Sequence, residues 1–368
     1  MSAVRWAIAG GGTGGHVTLA LALGEEIARR GDPVLFVGSE RGLEARLVGP
    51  AGFELVTLPA RPYAGLGLAA RLAALLALVR AAAAAVGLLR RRHIDVVVSV
   101  GGYAAAPAAA AAVLLRRPLA LVEPNAVPGR TNRAMGRFAR RVFAAFEAAA
   151  PRFGRARVEV TGAPLRRALL DAFAAAGPRR APEAPFRLLV VGGSQGARQL
   201  NDAMIEALPR LDPGRLTVFH QTGAADRARV AEAYARAGVA AEVMDFDAAL
   251  ACRYQWADLA LCRAGALTVA ELAQAGLPAL LVPYPYAADD HQRANARALS
   301  EAGAARMLDP ADFDGKVLAE ALASLLERPA TLLEMGRRAR ALARPDAARR
   351  IVDGCRSLVT EPAGRIEA

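Results

Sequence analysis

The sequence predicts an α/β protein of two Rossmann-like domains, each a parallel sheet covered by helices on both faces. Three observations predict it. Apolar runs of strand length alternate with helical stretches along most of the chain. Two of those runs break directly into glycines and then into a helix, residues 4–9 into GGGTGGH at 10–16 and residues 188–191 into GGSQGA at 192–197. At 368 residues the chain is also too long for one ordinary core.

In the first half, strands are expected at 4–9, 34–37, 54–58, 95–100, 119–122, 142–144 and 159–161. Several are apolar at every position, as strands buried on both faces must be. The Gly162-Ala163-Pro164 turn and the Pro/Gly-bearing stretch 177–185 mark the junction between halves. The second half repeats the scheme at 187–191, 216–220, 242–245, 259–262, 279–282 and 306–308. It closes with helical pieces at 316–327, 330–343 and 346–359, separated by Pro329 and Pro345.

A net charge of +12 invites a nucleic-acid reading, but the composition argues against it. Lys316 is the only lysine, the chain is swollen with alanine, and aromatics make up 5%, too few for a base-stacking platform. The acidic partners expected instead are phosphates and an anionic membrane. Cys252, Cys262 and Cys355 have no paired spacing, so reduced thiols are expected. No secretory signal is read at the N-terminus, and no charge-free apolar run reaches the ~18 residues of a membrane span.

Gly10, Gly12 and Gly15 fit the dinucleotide spacing G-x-G-x-x-G, with Glu40 after the second strand where a ribose-binding acid would sit. That leaves a nicotinamide enzyme open. The extra glycines Gly11 and Gly14, with Thr13 and His16, make a wider turn suited to a diphosphate. His16 is either a helix-start residue bonded locally or a general base for a hydroxyl proton.

In CRAGALTVAE, residues 262–271, a strand ends and a helix begins, so its first amides can meet a second phosphate. Glu271 is either a helix-start acid or an acceptor for two ribose hydroxyls. In PYPYAADDHQRAN, residues 283–295, Asp289 and Asp290 read as helix-capping acids. Gln292 and Asn295 share a helix face there and suit sugar hydroxyls. Gly101-Gly102-Tyr103 and Glu123-Pro124-Asn125 each follow a strand, at the edge where open α/β sheets bind ligands. His93 and His220 read as structural. Arg166 and Arg263 are candidate phosphate contacts. Residues 65–92 carry apolar positions at helical spacing among arginines, either a core helix or a face lying on an anionic bilayer.

Together these residues resemble the MurG family, the bacterial peptidoglycan N-acetylglucosaminyltransferases. GGGTGGH from Gly10, VSVGGY from Val98, EPNAVPGRTN from Glu123, GAPLR from Gly162 and GGSQGARQLN from Gly192 follow that family's order. So do HQTG from His220, CRAGALTVAEL from Cys262 and PYPYAADDHQRANA from Pro283, so the likeness spans nearly the whole chain.

The resemblance implies a GT-B fold, two Rossmann-like domains with parallel sheets facing across a cleft. Residues 1–163 with the C-terminal helix 346–368 would form the acceptor and membrane domain, and residues 164–345 the UDP-GlcNAc domain. It implies transfer of GlcNAc from UDP-GlcNAc to lipid I, undecaprenyl-diphospho-MurNAc-pentapeptide, giving lipid II and UDP by a single inverting displacement. It implies no metal or other cofactor, no nucleic acid, and a peripheral place on the cytoplasmic face of the bacterial inner membrane. Residues 65–92 would dock that membrane, with cell-wall synthesis and division proteins as further partners.

Carried across, the donor site would include Thr13, Gly14, Gly15, Asn125, Arg166 and Ser194. Asp247, the run Ala266, Leu267, Thr268, Val269, Ala270 and Glu271, and Gln292 would complete it. Asp247 stands where the family usually has an apolar residue, and Val122 where many relatives have histidine. The acceptor diphosphate would meet Gly12, Thr13, Gly14, Gly102 and Tyr103. His16 would be the catalytic base, with Glu123 in reserve.

Overall fold

The computed structural model describes residues 3–40, 42–59, 68–154, 156–177, 179–193, 196–247 and 249–360. It divides into two compact units, Met1–Arg167 with Arg344–Ala368, and Ala168–Ala343.

Unit 1 holds seven strands, β1 (Trp6–Gly10), β2 (Val34–Ser39), β3 (Glu54–Leu58), β4 (Val96–Gly101), β5 (Leu119–Glu123), β6 (Arg141–Ala144) and β7 (Val158–Val160). All pair parallel in the order β3-β2-β1-β4-β5-β6-β7. β4 and β5 are buried at every residue, as strands sandwiched between helix layers must be. β1 begins two residues later than the apolar run suggests. The Val4 amide donates to Asp32 Oδ1 (3.1 Å) and the Arg5 amide to Asp95 Oδ2 (2.9 Å), so side chains take the bonds a ladder would have made.

Unit 2 holds β8 (Phe186–Val191), β9 (Leu216–Gln221), β10 (Ala240–Met244), β11 (Leu259–Cys262), β12 (Ala279–Leu281) and β13 (Ala305–Met307). They are parallel in the order β10-β9-β8-β11-β12-β13. Each unit thus winds outward from its first strand in both directions. In unit 1 the order reverses between β1 and β4, in unit 2 between β8 and β11. Such reversals leave a crevice at the strand carboxyl ends where ligands settle.

The chain's last described helix, Ala347–Thr360, returns to unit 1. It buries Ile351, Val352, Cys355 and Leu358, and Gly354 lets it approach the sheet, since a Cβ there would stand 2.6 Å from Phe143. Arg356 reaches Asp32 Oδ2 (3.0 Å) and Arg350 reaches Glu159 Oε1 (2.9 Å). Burial of this apolar stripe supplies most of the attachment, and the ion pairs set its register.

Candidate active site

Both glycine loops sit at the reversals. In unit 1, β1 runs into Gly11 and Gly12, whose φ values of +153° and +86° a side chain would strain. The helix Gly14–Arg29 follows, with Thr13 as its N-cap. Thr13 Oγ1 lies 2.8 Å from His16 Nδ1 and also accepts from the His16 amide at 3.5 Å. Across the reversal, β4 ends in Gly101 (φ +91°) and Gly102 (φ +79°). A Cβ on Gly101 would stand 3.5 Å from His16 Nε2, and one on Gly102 2.7 Å from the Gly11 carbonyl oxygen. Glycines on both sides therefore let the two turns close around the imidazole.

Beneath this loop lies an acid that the pattern of the sequence did not single out. Glu44 is 1% exposed. Its Oε2 accepts from the Gly12 amide (3.0 Å), and its Oε1 accepts from the Ser39 amide (2.7 Å) and hydroxyl (2.8 Å). Burial works against its charge, but the Gly12 and Ser39 amides prevail and hold the carboxyl below its usual range. Glu40, read as the acid of this turn, is exposed. The Gly12 amide, expected to meet a diphosphate, is already committed to Glu44. Tyr103 packs against Gly12, where a Cβ would stand 3.0 Å from its ring, and its hydroxyl lies 3.2 Å from Ser39 Oγ.

Glu123 ends β5 and is 2% exposed. Oε1 accepts from the Asn125 amide (3.0 Å) and side chain (3.3 Å), and Oε2 from the Gly129 amide and Asn132 Nδ2, both at 3.0 Å. Burial raises its pKa, while these donors oppose the rise. A carboxylate so enclosed holds the loop 124–132, including Asn125, in shape. Arg166 Nε donates to Glu25 Oε1 at 2.7 Å, on the helix behind the glycine loop. Val122 is buried in the core.

In unit 2, β8 runs into Gly192, Gly193 (φ +83°) and Gly196 (φ +72°) ahead of the helix Arg198–Ala207. Ser194 lies outside the described residues. A Cβ on Gly196 would stand 2.2 Å from the Thr222 carbonyl oxygen, so only glycine fits. Across the reversal, Gly265 precedes the helix Ala266–Ala275, whose first amides open toward a groove of about 1010 Å³. Gly193, Gly196, Arg263, Thr268, Tyr284 and Gln292 are among its walls. Gln292 Oε1 accepts from the Ala264 (3.2 Å) and Tyr284 (2.9 Å) amides, which fixes the amide's orientation and points its NH₂ away from both. Arg263 is spent on the floor, with Nη1 3.1 Å from each of the Val282 and Pro283 carbonyl oxygens.

Of the run Ala266 to Glu271, Val269 is 2% exposed and can offer a ligand only its backbone. Ala266, Leu267, Thr268 and Ala270 are half-buried. Glu271 keeps part of its surface open, yet its carboxyl is hemmed in, and burial pushes its pKa up to about 7. The Tyr254 hydroxyl donates to Glu271 Oε2 at 2.8 Å and opposes that rise. Asp247 is tied down: Oδ1 accepts from the Ala249 amide (2.7 Å), Oδ2 pairs with Arg253 Nε (3.0 Å), and its amide donates to Gln221 Oε1 (3.1 Å). Arg253 is shared between Asp247 and Glu242, whose Oε1 lies 2.6 Å from Nη2.

Asp290 does not cap as expected. Asp289 and Asp290 are both left-handed (φ +52° and +51°), and the Asp290 carboxylate accepts from Arg293 Nε (3.1 Å) instead of from a helix amide. His220 is structural: Nδ1 faces the Tyr234 hydroxyl and Nε2 faces Asn201 Oδ1, each at 3.0 Å, and burial lowers its pKa to about 3. His93, also read as structural, is exposed.

Residues 68–91 of the 65–92 stretch form one helix, and residues 65–67 lie outside the described residues. Ala81, Ala85 and Leu89 are buried, while Leu78 (39%) and Val79 (59%) are exposed beside the exposed Arg80. The helix thus has a core face, as the first reading expects, and an exposed apolar pair beside it. Among the described residues, no helix is long and apolar enough to cross a membrane.

The glycosyltransferase family 28 N-terminal domain matches residues 6–144 and its C-terminal domain residues 187–351. The chain is 45% identical to the UDP-N-acetylglucosamine–N-acetylmuramyl-(pentapeptide) pyrophosphoryl-undecaprenol N-acetylglucosamine transferase of Anaeromyxobacter sp. (strain Fw109-5), over 98% of this chain and 96% of that one. It is 46% identical to the enzyme of that name from Chromohalobacter salexigens, over 95% and 96% of the two chains. Among solved structures it superposes on Acinetobacter baumannii MurG with a TM-score of 0.81 at 33% identity, covering 96% of this chain and 99% of that one. A UDP-GlcNAc 2-epimerase from Neisseria meningitidis, at 12% identity and a TM-score of 0.65, shares the fold alone. Two parallel sheets with glycine loops at their reversals, joined to full-length identity of this order, place the chain in the MurG family of UDP-GlcNAc-dependent N-acetylglucosaminyltransferases.

Proposed function

We propose that this protein transfers GlcNAc from UDP-GlcNAc to the 4-hydroxyl of MurNAc in undecaprenyl-diphospho-MurNAc-pentapeptide, forming lipid II and UDP. The observation that carries the reading is the groove of unit 2. There a helix N-terminus, a glycine loop and an oriented amide meet at one sheet reversal. Diphosphate suits the first amides of the helix Ala266–Ala275 and the turn at Gly193 and Gly196, which flank Ser194 in the sequence. Ribose hydroxyls suit Glu271, and the sugar hydroxyls suit the NH₂ of Gln292.

Unit 1 would hold the acceptor at its own glycine loop through Thr13 and Gly14. His16 would take the proton of the 4-hydroxyl as that oxygen attacks the anomeric carbon opposite UDP, giving a β(1→4) bond. Glu123 we assign to positioning, since both its oxygens are fully engaged and its burial leaves no path to a substrate hydroxyl. Asn125 is the part of that loop offered to substrate. Arg166 reaches a donor only by leaving Glu25. As the donor's phosphate bond breaks, charge collects on UDP, and helix-terminal amides aimed at it lower the barrier. The uncovered face at Leu78 and Val79 with its flanking arginines would rest on anionic lipid at the cytoplasmic side, where the acceptor is anchored. Radiolabelled UDP-GlcNAc with a short-chain lipid I analogue tests the reading. Label should enter the lipid only when the acceptor is present, and release of label into another nucleotide sugar without acceptor would overturn it.

A further inference from the structure

We propose that the Tyr103 hydroxyl receives a hydrogen bond from the sugar or peptide part of the acceptor, a hydroxyl or amide N–H, and does not bind its diphosphate. The inference rests on the reading that unit 1 holds the acceptor. It comes from following one proton at a time. Glu44 takes three donors, the Gly12 amide, the Ser39 amide and the Ser39 hydroxyl, so it is an acceptor at both oxygens.

The single Ser39 proton therefore points at Glu44 Oε1, 2.8 Å away. Turned elsewhere, the hydroxyl would press a lone pair against a buried carboxylate oxygen, which costs more than the bond is worth. Ser39 Oγ is then left with lone pairs toward Tyr103, whose hydroxyl stands 3.2 Å away and must donate. The Tyr103 proton is thereby spent inside the protein, and the phenol oxygen has only lone pairs to offer.

Lone pairs repel a phosphate oxygen and attract a donor. Ser39 is 0% exposed and Glu44 1%, so solvent cannot rearrange the chain of bonds. Tyr103 itself is half-buried and packs against Gly12, which places its ring beside the glycine loop. Glu44 and Ser39 are positioning residues in this scheme, and Tyr103 is the group that meets substrate.

Tyr103→Phe and Ser39→Ala test it, with two acceptor-side probes: a lipid I analogue as substrate, and a short prenyl diphosphate lacking sugar as competitive inhibitor. Tyr103→Phe should raise the KM for the lipid I analogue about tenfold, the effect of one neutral hydrogen bond. It should leave the KM for UDP-GlcNAc and the inhibition constant of the prenyl diphosphate unchanged. Ser39→Ala frees the phenol proton to turn outward, so prenyl diphosphate should bind it as tightly as wild type or tighter while the acceptor KM rises. Weakened prenyl diphosphate binding in Tyr103→Phe would overturn the inference, as would an unchanged acceptor KM. A shift in the UDP-GlcNAc KM alone would instead count against the placement of the acceptor on unit 1.

Discussion

Thr13 Oγ1 and His16 Nδ1 lie 2.8 Å apart at the first turn of one helix, so the hydroxyl holds the imidazole by its Nδ1 edge. Thr13 already accepts from the His16 amide as the helix N-cap. Nε2 is the ring nitrogen turned toward Gly101, where a Cβ would stand 3.5 Å from it. The base role proposed for His16 would act through that nitrogen.

His16→Ala should lower kcat by roughly 10²–10⁴-fold, the usual contribution of a general base, with little change in the KM for UDP-GlcNAc. Thr13→Ala should lose about 1 kcal/mol of stability from the missing cap and lower kcat as well, because the imidazole loses the contact that holds it. Steady-state kinetics with thermal unfolding checks both. Wild-type kcat in His16→Ala would remove the base.

Glu271 gives donor binding a pH dependence. Its carboxyl titrates at about 7, above the usual range, because burial disfavours the charge. Ribose hydroxyls donate to the anion, so binding draws the group into its ionised form. Affinity for UDP-GlcNAc should therefore be full above pH 7 and fall as pH drops through about 7, up to tenfold per unit. The donor's own diphosphate diester does not titrate there. Calorimetry between pH 5.5 and 8.5 measures the slope, and Glu271→Gln should flatten it. Glu271→Ala should weaken binding by about 1.5–3 kcal/mol, the range for hydrogen bonds to a charge.

Glu123 should behave as a positioning residue. Glu123→Ala strands the Asn125 and Gly129 amides and the Asn132 side chain, so stability should fall by about 3 kcal/mol or more. Thermal unfolding reads this directly. A variant that keeps its melting temperature and loses only kcat would return Glu123 to the chemistry.

Gly196→Ala places a Cβ 2.2 Å from the Thr222 carbonyl oxygen at φ +72°. The donor loop must shift, so UDP binding should weaken at least tenfold, with a stability loss of about 1–3 kcal/mol. Gly193→Ala has open space around its Cβ and φ +83°, so strain alone remains and the effect should be smaller. Equal losses in the two variants would contradict the steric account.

Membrane attachment should follow charge and the exposed apolar face. The protein should sediment with anionic vesicles and less so as salt rises. Val79→Glu should weaken sedimentation without altering stability, because Val79 is 59% exposed.

Much of the fold was legible because fully apolar strands and glycine punctuation are local signals. The run Leu259–Cys262 and the turn after it read as strand and helix start, and both are found. Glu271 and Gln292 stood out as candidates because each lies in the first turns of a helix that follows a strand, and of the two Gln292 lines the groove. Glu44 was not. A glutamate a few residues beyond a strand looks solvated unless one sees that Gly11, Gly38 and Gly42 clear a space for its carboxylate. Asp290 misled for a related reason: acids ahead of a helix usually cap it, but here left-handed backbone turns Asp290 onto Arg293. Side chains answering to distant partners leave no periodic trace.

The linkage of the product tests the central claim most directly. One enzyme-formed disaccharide lipid, made from UDP-GlcNAc and a lipid I analogue, can be read by NMR at its new anomeric carbon. In-line attack by the MurNAc 4-hydroxyl opposite UDP should give a β(1→4) bond and one UDP per turnover. An α bond, or turnover of UDP-GlcNAc to another nucleotide sugar with no acceptor present, would contradict it.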